Sequence, residues 1–228
     1  MEISEDPLAD AGTDAWLTVS DDLLWGFNHA LSNRLAAISS ITRILEYSDT
    51  GLDPLLSALS DEIATLEETL KMLRLVPRSP RSTAEPVLLN ELVPEVVRLH
   101  DVRSDSTDSR VESRFDEGLQ PVWVHPDRLS HALLIVLAAV SRRASRSGAR
   151  VIAVSAGSGE EVATIHFSIP SSPEPLSLDV WFAPAEIAMV GRLVGEGGGD
   201  FRDAGSERPG VEITLPTLLA VRKRERDG

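Results

Sequence analysis

His29 is the residue whose type and position in this sequence most directly predict chemistry. At about 100° of rotation per residue, His29 and Asn33 lie on one side of a helical segment whose leucines lie on the other. An exposed imidazole is nucleophilic at neutral pH, although many exposed histidines are ordinary surface residues. Candidate partner-binding positions share that side of the helix: Trp25, Gly26, Ser32 and Ala36. The helix alone leaves two interpretations open, a docking site centred on His29 and a plain surface.

The side of this helix away from His29 carries an apolar seam. Its members recur at three- and four-residue spacing: Leu24, Leu31, Leu35, Ile38 and Leu45. A second segment repeats the pattern after a helix start at Asp53 and Pro54. Its apolar residues are Leu55, Leu59, Ile63, Leu66, Leu70 and Leu73. Two such helices joined by a short turn predict an antiparallel hairpin.

A helical hairpin alone leaves part of each apolar seam in contact with water. Pairing with a second copy around a two-fold axis would bury both seams in a four-helix bundle, so the pattern predicts a homodimer. The alternative is that the hairpin packs on the C-terminal half of its own chain, and periodicity leaves that choice open. In the bundle, His29 lies on the outer surface.

Composition and periodicity divide the chain into five regions. Residues 1–18 are acidic with little periodicity and predict a flexible arm that ends before an N-cap at Ser20. Residues 19–77 form the predicted hairpin, which has a break at residues 48–51. Residues 78–86 are rich in Pro, Ser and Arg and predict a linker. Residues 87–219 form a second domain, and residues 220–228 form a charged tail.

The second domain mixes helical and strand patterns. Helices are predicted over residues 88–100, 126–145 and 184–194, and strands over residues 110–115, 121–124, 150–156, 162–169 and 210–216. The turn at residues 157–159 predicts an antiparallel strand pair on either side of it. The predicted fold class is α+β, with an N-terminal helical hairpin followed by a two-layer α/β sandwich.

Composition excludes several classes of function. A formal net charge of -14 argues against a nucleic-acid partner, because the phosphate backbone requires a basic surface. The chain has no cysteine, which excludes disulfides and thiol nucleophiles and is typical of a cytoplasmic protein. The longest apolar run, residues 132–140, is shorter than the roughly 20 residues of a membrane span. We therefore expect no membrane association.

Three stretches resemble the core of sensor histidine kinases. Residues 29–38, His-Ala-Leu-Ser-Asn-Arg-Leu-Ala-Ala-Ile, are similar to the family's phospho-acceptor motif. Residues 119–129 are similar to the strand and turn before its nucleotide-binding helix, and residues 210–216 to its final strand. The resemblance implies a dimerisation and histidine-phosphotransfer hairpin followed by an ATPase-like domain of the GHKL type. It also implies that His29 is the phospho-acceptor, and that Asn33 supports it or positions water for dephosphorylating a partner.

The sequence departs from that family at the elements that contact ATP. Ile135 and Ala139 stand where the family has metal-binding side chains on its nucleotide helix. Residues 168–173 lack the family's adenine-reading aspartate, and residues 182–186 lack the glycines that cradle phosphate. Ala30 replaces the acidic residue that usually follows the histidine. The resemblance with these losses implies no bound cofactor, with Mg²⁺ supplied by the partner.

A kinase-like dimer without a nucleotide site resembles the dimeric histidine phosphotransferases of bacterial phosphorelays. This resemblance implies response-regulator receiver domains as partners, with His29 shuttling a phosphoryl group between their aspartates. Three alternatives stay open. They are a non-catalytic pseudokinase scaffold that binds response regulators, a response-regulator phosphatase that uses Asn33, and an ATP-dependent kinase with unusual nucleotide contacts.

Overall fold

The computed structural model describes residues 7–47, 52–76, 83–103, 109–171, 178–205 and 208–227. Two long helices form the N-terminal hairpin, α1 over Pro7–Tyr47 and α2 over Leu52–Leu75. The two helices contact each other, and the seam residues Leu31, Ile38 and Leu45 are half-buried. The predicted break at residues 48–51 lies outside the described residues.

Helix α1 begins earlier than predicted. It starts at Pro7, so the predicted flexible arm over residues 1–18 is wrong for residues 7–18, and Ser20 is an interior helical residue instead of the N-cap. Residues 1–6 lie outside the described residues. The physical reason is intrinsic propensity: three alanines between residues 9 and 15 favour the helix despite the weak periodicity, and proline fits the first helical turn.

The second domain begins with a short strand and continues as a mixture of helices and strands. In chain order its elements are β1 Glu85–Val87, α3 Leu89–Arg103, β2 Arg110–Phe115, β3 Val122–Val124, α4 Pro126–Ser147, β4 Val151–Ser158, β5 Val162–Ser168, α5 Leu178–Trp181, α6 Pro184–Gly195, β6 Asp200–Asp203, β7 Val211–Pro216 and α7 Leu218–Asp227. Five strands form one sheet in the order β2-β4-β5-β7-β6. In that sheet β2 is parallel to β4, and the other pairs are antiparallel. Strands β1 and β3 form a separate antiparallel pair.

Burial alternates along the central strands because one face of the sheet packs on helices. Ile152, Val154 and Ala156 of β4 are buried, whereas the residues between them are half-buried. Helix α4 contacts β4 and is buried along residues 132–141. Helices and sheet therefore form two layers, which confirms the predicted α+β fold with a helical hairpin followed by an α/β sandwich.

Four short elements were not predicted from the sequence. Strand β1 ends the stretch that was predicted as a linker, and α7 occupies most of the predicted charged tail. Strand β6 and helix α5, of four residues each, lie in stretches without a predicted element. An element this short contains too few residues to show a period, and β1 depends on pairing with the distant β3.

The first half of α1 packs on the second domain. Val19, Leu23 and Phe27, at four-residue spacing, are each 2% exposed or less. They belong to one hydrophobic core with residues of α3 and α4, and α1 contacts α3, α4 and α6. The alternative in which the hairpin packs on its own C-terminal half is therefore correct for this part of α1.

Replacing Phe27 with alanine should lower the free energy of unfolding by about 3–5 kcal/mol, the usual range for deleting a buried aromatic ring. Urea denaturation followed by circular dichroism measures the change. The control is Leu219→Ala, at a helical position that is 52% exposed. This control should change the stability by about 0.5 kcal/mol or less. A Phe27 variant as stable as the wild type would contradict the packing of α1 on the second domain.

A second apolar surface of the hairpin is uncovered in the single chain. On α1, Leu24 is 54% exposed and Leu35 is 56% exposed. On α2 the exposed apolar residues are Leu52, Leu56, Ile63 and Leu70. We call these six side chains the apolar stripe. None of the described helices is long and apolar enough to cross a bilayer.

Candidate functional site

His29 lies on the exposed side of α1, between two side chains that are each one turn away. Trp25, His29 and Asn33 share one face of the helix because they are four residues apart. The Trp25 and His29 rings stack in parallel, with centroids 5.5 Å apart and an interplanar angle of 1°. The amide nitrogen Nδ2 of Asn33 lies 3.1 Å from Nε2 of His29. The structure thus brings the two predicted site residues together.

The contact with Asn33 suits one tautomer of the neutral imidazole. An amide nitrogen only donates hydrogen bonds, so Nε2 of His29 accepts, and the ring proton of the neutral imidazole is on Nδ1. An unprotonated Nε2 is the nucleophilic atom of a histidine. Both side chains are exposed, so Asn33 can rotate away from Nε2. Stacking on Trp25 restricts rotation of the ring.

The predicted partner-binding positions are divided between surface and interior. Trp25 is 62% exposed, and Ser32 and Ala36 are also exposed. Gly26 is buried, so the prediction that it contacts a partner is wrong. The reason is tertiary: Gly26 lies at the border between the His29 face and the α1 face that packs on the second domain.

A cavity of 700 Å³ opens beside Asn33, between α1, α2 and α3. Its lining comprises Ala30, Asn33, Arg34, Ala64, Thr65, Glu68, Thr69, Met72, Arg98, Asp101 and Val102. Arg34 also pairs with Glu62 across the hairpin, at 3.1 Å. Burial raises the pKa of the Asp101 carboxyl. We call this space the hairpin cavity.

The α3 wall of the hairpin cavity was not predicted from the sequence. Arg98 and Asp101 reach the surroundings of Asn33 only because the second domain packs against the hairpin. No spacing rule relates positions so distant along the chain. Arg98 and Asp101 are two of several polar residues of α3, so their polar character alone does not single them out.

Core side chains fill the positions that the resemblance associates with nucleotide binding. Ile135 and Ala139 of α4 are completely buried. Trp181 and Phe182 belong to the same hydrophobic core, and Phe182 packs edge-on against Phe201 with ring centroids 5.3 Å apart. Apolar side chains at these positions offer no oxygen to a metal ion.

The first turn of α6 is occupied by a carboxylate of the protein itself. The N–H of Ala183 donates to Glu186 at 2.9 Å, and Arg142 pairs with Glu186 at 2.5 Å. A phosphate placed there would meet the charge of Glu186. Across the described ranges, no group of three or more His, Cys, Asp or Glu residues could hold a metal ion. The Glu186 carboxylate thus lies where the resemblance places the phosphates of a nucleotide.

Comparisons with known proteins give similarity to solved structures alone. No protein-family model matches the chain, and no curated protein matches it. The histidine kinase AdeS of Acinetobacter baumannii is 16% identical, with 84% of this chain and 98% of that chain covered and a TM-score of 0.45. The cytoplasmic segment of histidine kinase QseC is 14% identical, with 68% and 91% covered and a TM-score of 0.42. The ATP-binding domain of PrrB from Mycobacterium tuberculosis is 20% identical, with 60% and 97% covered and a TM-score of 0.42.

The chain is thus similar to histidine kinase domains in these comparisons. At identities of 20% or less and TM-scores below 0.5, the likeness assigns no family to the chain.

Proposed function

We propose that this chain is a histidine phosphotransfer protein of a bacterial phosphorelay, which shuttles a phosphoryl group between receiver-domain aspartates through His29. The observation that carries the proposal is an exposed imidazole whose Nε2 accepts a hydrogen bond from Asn33. The motif over residues 29–38, which resembles the phospho-acceptor motif of histidine kinases, supports the same assignment.

The proposed transfer consists of two displacement steps. In the first, the Nε2 lone pair attacks the phosphorus of an aspartyl phosphate, and the N–P bond forms as the bond from phosphorus to the aspartate oxygen breaks. The aspartate leaves as a carboxylate. In the second step, the carboxylate of another receiver attacks the phosphohistidine, and Nε2 regains its lone pair. Because Nε2 carries no proton at the start, no base is required before the attack, and the receiver supplies Mg²⁺.

We infer that the chain does not take the phosphoryl group from ATP. Ile135 and Ala139 are buried core residues, and Glu186 occupies the first turn of α6. Ala30, which follows the histidine, provides no carboxylate to accept its proton. A pure relay needs none of these groups, because the phosphoryl donor is another protein.

The proposed receiver-docking surface combines the His29 face with the hairpin cavity. Trp25, Ser32 and Ala36 are the exposed positions of that face. Arg34 and Arg98 line the adjoining cavity from α1 and α3, so a receiver docked over His29 would contact both domains.

We further propose that the functional unit is a cytoplasmic homodimer. The apolar stripe is the surface that a second copy would cover in a four-helix bundle. The absence of cysteine suits a reducing compartment.

The direct test is to mix the full chain with a receiver domain that carries labelled phosphate on its aspartate. Label that moves to this chain and onward to a second receiver supports the relay. Label released as inorganic phosphate, with none captured, supports the phosphatase. Binding without any loss of label supports the scaffold. Incorporation from labelled ATP and Mg²⁺ in the absence of a receiver would contradict the proposal.

Replacing Asn33 with alanine should separate the relay from the phosphatase. The variant loses one exposed hydrogen bond to Nε2, so we expect the rate of label transfer to change by less than about tenfold. A phosphatase that positions water through Asn33 would instead lose release of inorganic phosphate. Ser39→Ala, at an exposed position of α1 outside the proposed docking surface, is the matched control, and both rates should match those of the wild type.

A further inference from the structure

The face of the five-stranded sheet that points away from the helices carries a cavity over β4. The register places Arg114, Ser155 and His166 side by side across β2, β4 and β5 on this face. The neighbouring row comprises Glu112, Ala153 and Ser168. Small side chains on β4 lie between longer ones, which leaves a cavity of 570 Å³. We call it the sheet trough, and its volume is typical of small-molecule sites.

The loop before β7 covers one side of the sheet trough and is held by two contacts. Nε2 of His166 lies 3.3 Å from the carbonyl oxygen of Arg208, and because a carbonyl only accepts, the imidazole donates. Gly210, with φ of 156°, lies so close to the His166 ring and the Phe167 carbonyl that a Cβ would collide with both. Burial and, secondarily, the Arg208 charge lower the pKa of His166, which favours the neutral ring. The backbone of Arg208 is therefore fixed against β5.

Two guanidinium groups line the sheet trough on either side of Ser155. Arg208 donates to the Ser155 hydroxyl at 2.9 Å, and Arg114 stands beside Ser155 on β2. Within the ranges that the structure describes, neither arginine forms an ion pair. The Ser155 hydroxyl accepts from Arg208, so its own proton is available to a ligand.

Two glutamates of this sheet face are paired with other arginines. Glu112, which lines the trough, pairs with Arg110 at 2.5 Å. Glu212, on β7, pairs with Arg202 at 2.7 Å. On a chain with a net charge of -14, two guanidinium groups without carboxylate partners make the trough a local positive site.

We infer that the sheet trough binds a small anion that bears phosphate or carboxylate oxygens. Each guanidinium presents a planar fork of N–H donors that matches two oxygens of such a group. The hydroxyls of Ser155 and Ser168 provide further hydrogen-bond donors on the floor of the trough. The trough lies on the sheet face opposite α4, so it is distinct from His29 and from the positions associated with nucleotide.

An NMR titration of the full chain tests this inference. Inorganic phosphate is added in one series and citrate in another, and amide chemical shifts are measured at constant ionic strength. We expect saturable shifts at residues 153–155, 166–168 and 208–210, which line or adjoin the trough. The double variant Arg114→Gln, Arg208→Gln should bind either anion at least about tenfold more weakly than the wild type. It loses the charge-assisted hydrogen bonds from both sides of the trough.

The matched control is Arg146→Gln, which removes an exposed positive charge from the last turn of α4, on the other side of the sheet. Its affinity should stay within about twofold of the wild type, because a charge beyond contact is screened by salt. His29→Gln should also bind the anion normally, which keeps this test independent of the relay. Shifts that do not saturate with either anion, or an unchanged affinity in the double variant, would overturn the inference.

Discussion

Replacing His29 with glutamine should abolish transfer of the phosphoryl group from a phosphorylated receiver to this chain. Glutamine is polar and fits an exposed helical position, but its amide nitrogen is not a nucleophile, so no N–P bond can form. Both half-reactions pass through Nε2, and the expected loss is therefore complete. The measurement is the labelled phosphate recovered on each protein after mixing and separation by gel electrophoresis.

The matched control for this experiment is His125→Gln in the second domain. His125 precedes α4, and its side chain does not cap that helix. This variant should accept label at the wild-type rate. Circular dichroism of His29→Gln should match that of the wild type, because the side chain is exposed. Label captured by His29→Gln would identify another side chain as the acceptor and would contradict the assignment.

The sequence predicted helices and strands correctly where an apolar repeat extended over many residues. The helix predicted over residues 126–145 is α4, Pro126–Ser147, and the strands on either side of residues 157–159 pair as predicted. The predicted start of α1 was wrong because the weak apolar pattern of residues 7–18 does not show a helix. Helix propensity, which acts residue by residue, favours one there. Strands β1 and β6 depend on partners far along the chain, and a local pattern does not contain that information.

The candidate site was predictable as a helix face but not as a set of contacts. Four-residue spacing is enough to place Trp25, His29 and Asn33 together. The parallel stacking of Trp25 on His29 depends on side-chain rotamers, which spacing does not determine. The burial of Gly26 and the contribution of Arg98 to the hairpin cavity depend on how the second domain packs against α1.

The position of the apolar stripe indicates how a second copy can bind without covering His29. At about 100° per residue, Leu35 lies about 160° around α1 from Asn33. By the same rule, Ile63 lies about 160° around α2 from Thr65. Asn33 and Thr65 line the hairpin cavity, so the stripe and the cavity occupy opposite flanks of the hairpin. A dimer through the stripe leaves the cavity open to a receiver.

Introducing a charge into the apolar stripe, as Leu35→Glu or Ile63→Glu, should dissociate the proposed homodimer. Leu35 is 56% exposed and Ile63 is 42% exposed in the single chain. Because each copy carries the change, one substitution removes two apolar side chains from the interface and adds two carboxylates. The free energy of dimerisation should become less favourable by about 3–6 kcal/mol. This change raises the dimer dissociation constant at least about hundredfold. Sedimentation equilibrium over a range of protein concentrations measures this constant.

Leu219→Glu is the control for the dimer variants, because α7 lies outside the hairpin and this side chain is 52% exposed. It should sediment like the wild type. A monomeric wild type, or stripe variants that stay dimeric, would contradict the four-helix bundle. The stacking and hydrogen-bond partners of His29 described above, Trp25 and Asn33, come from the same helix. The monomeric variants should therefore still accept phosphate on His29, and loss of transfer on dissociation would instead show that the second copy contributes to the site.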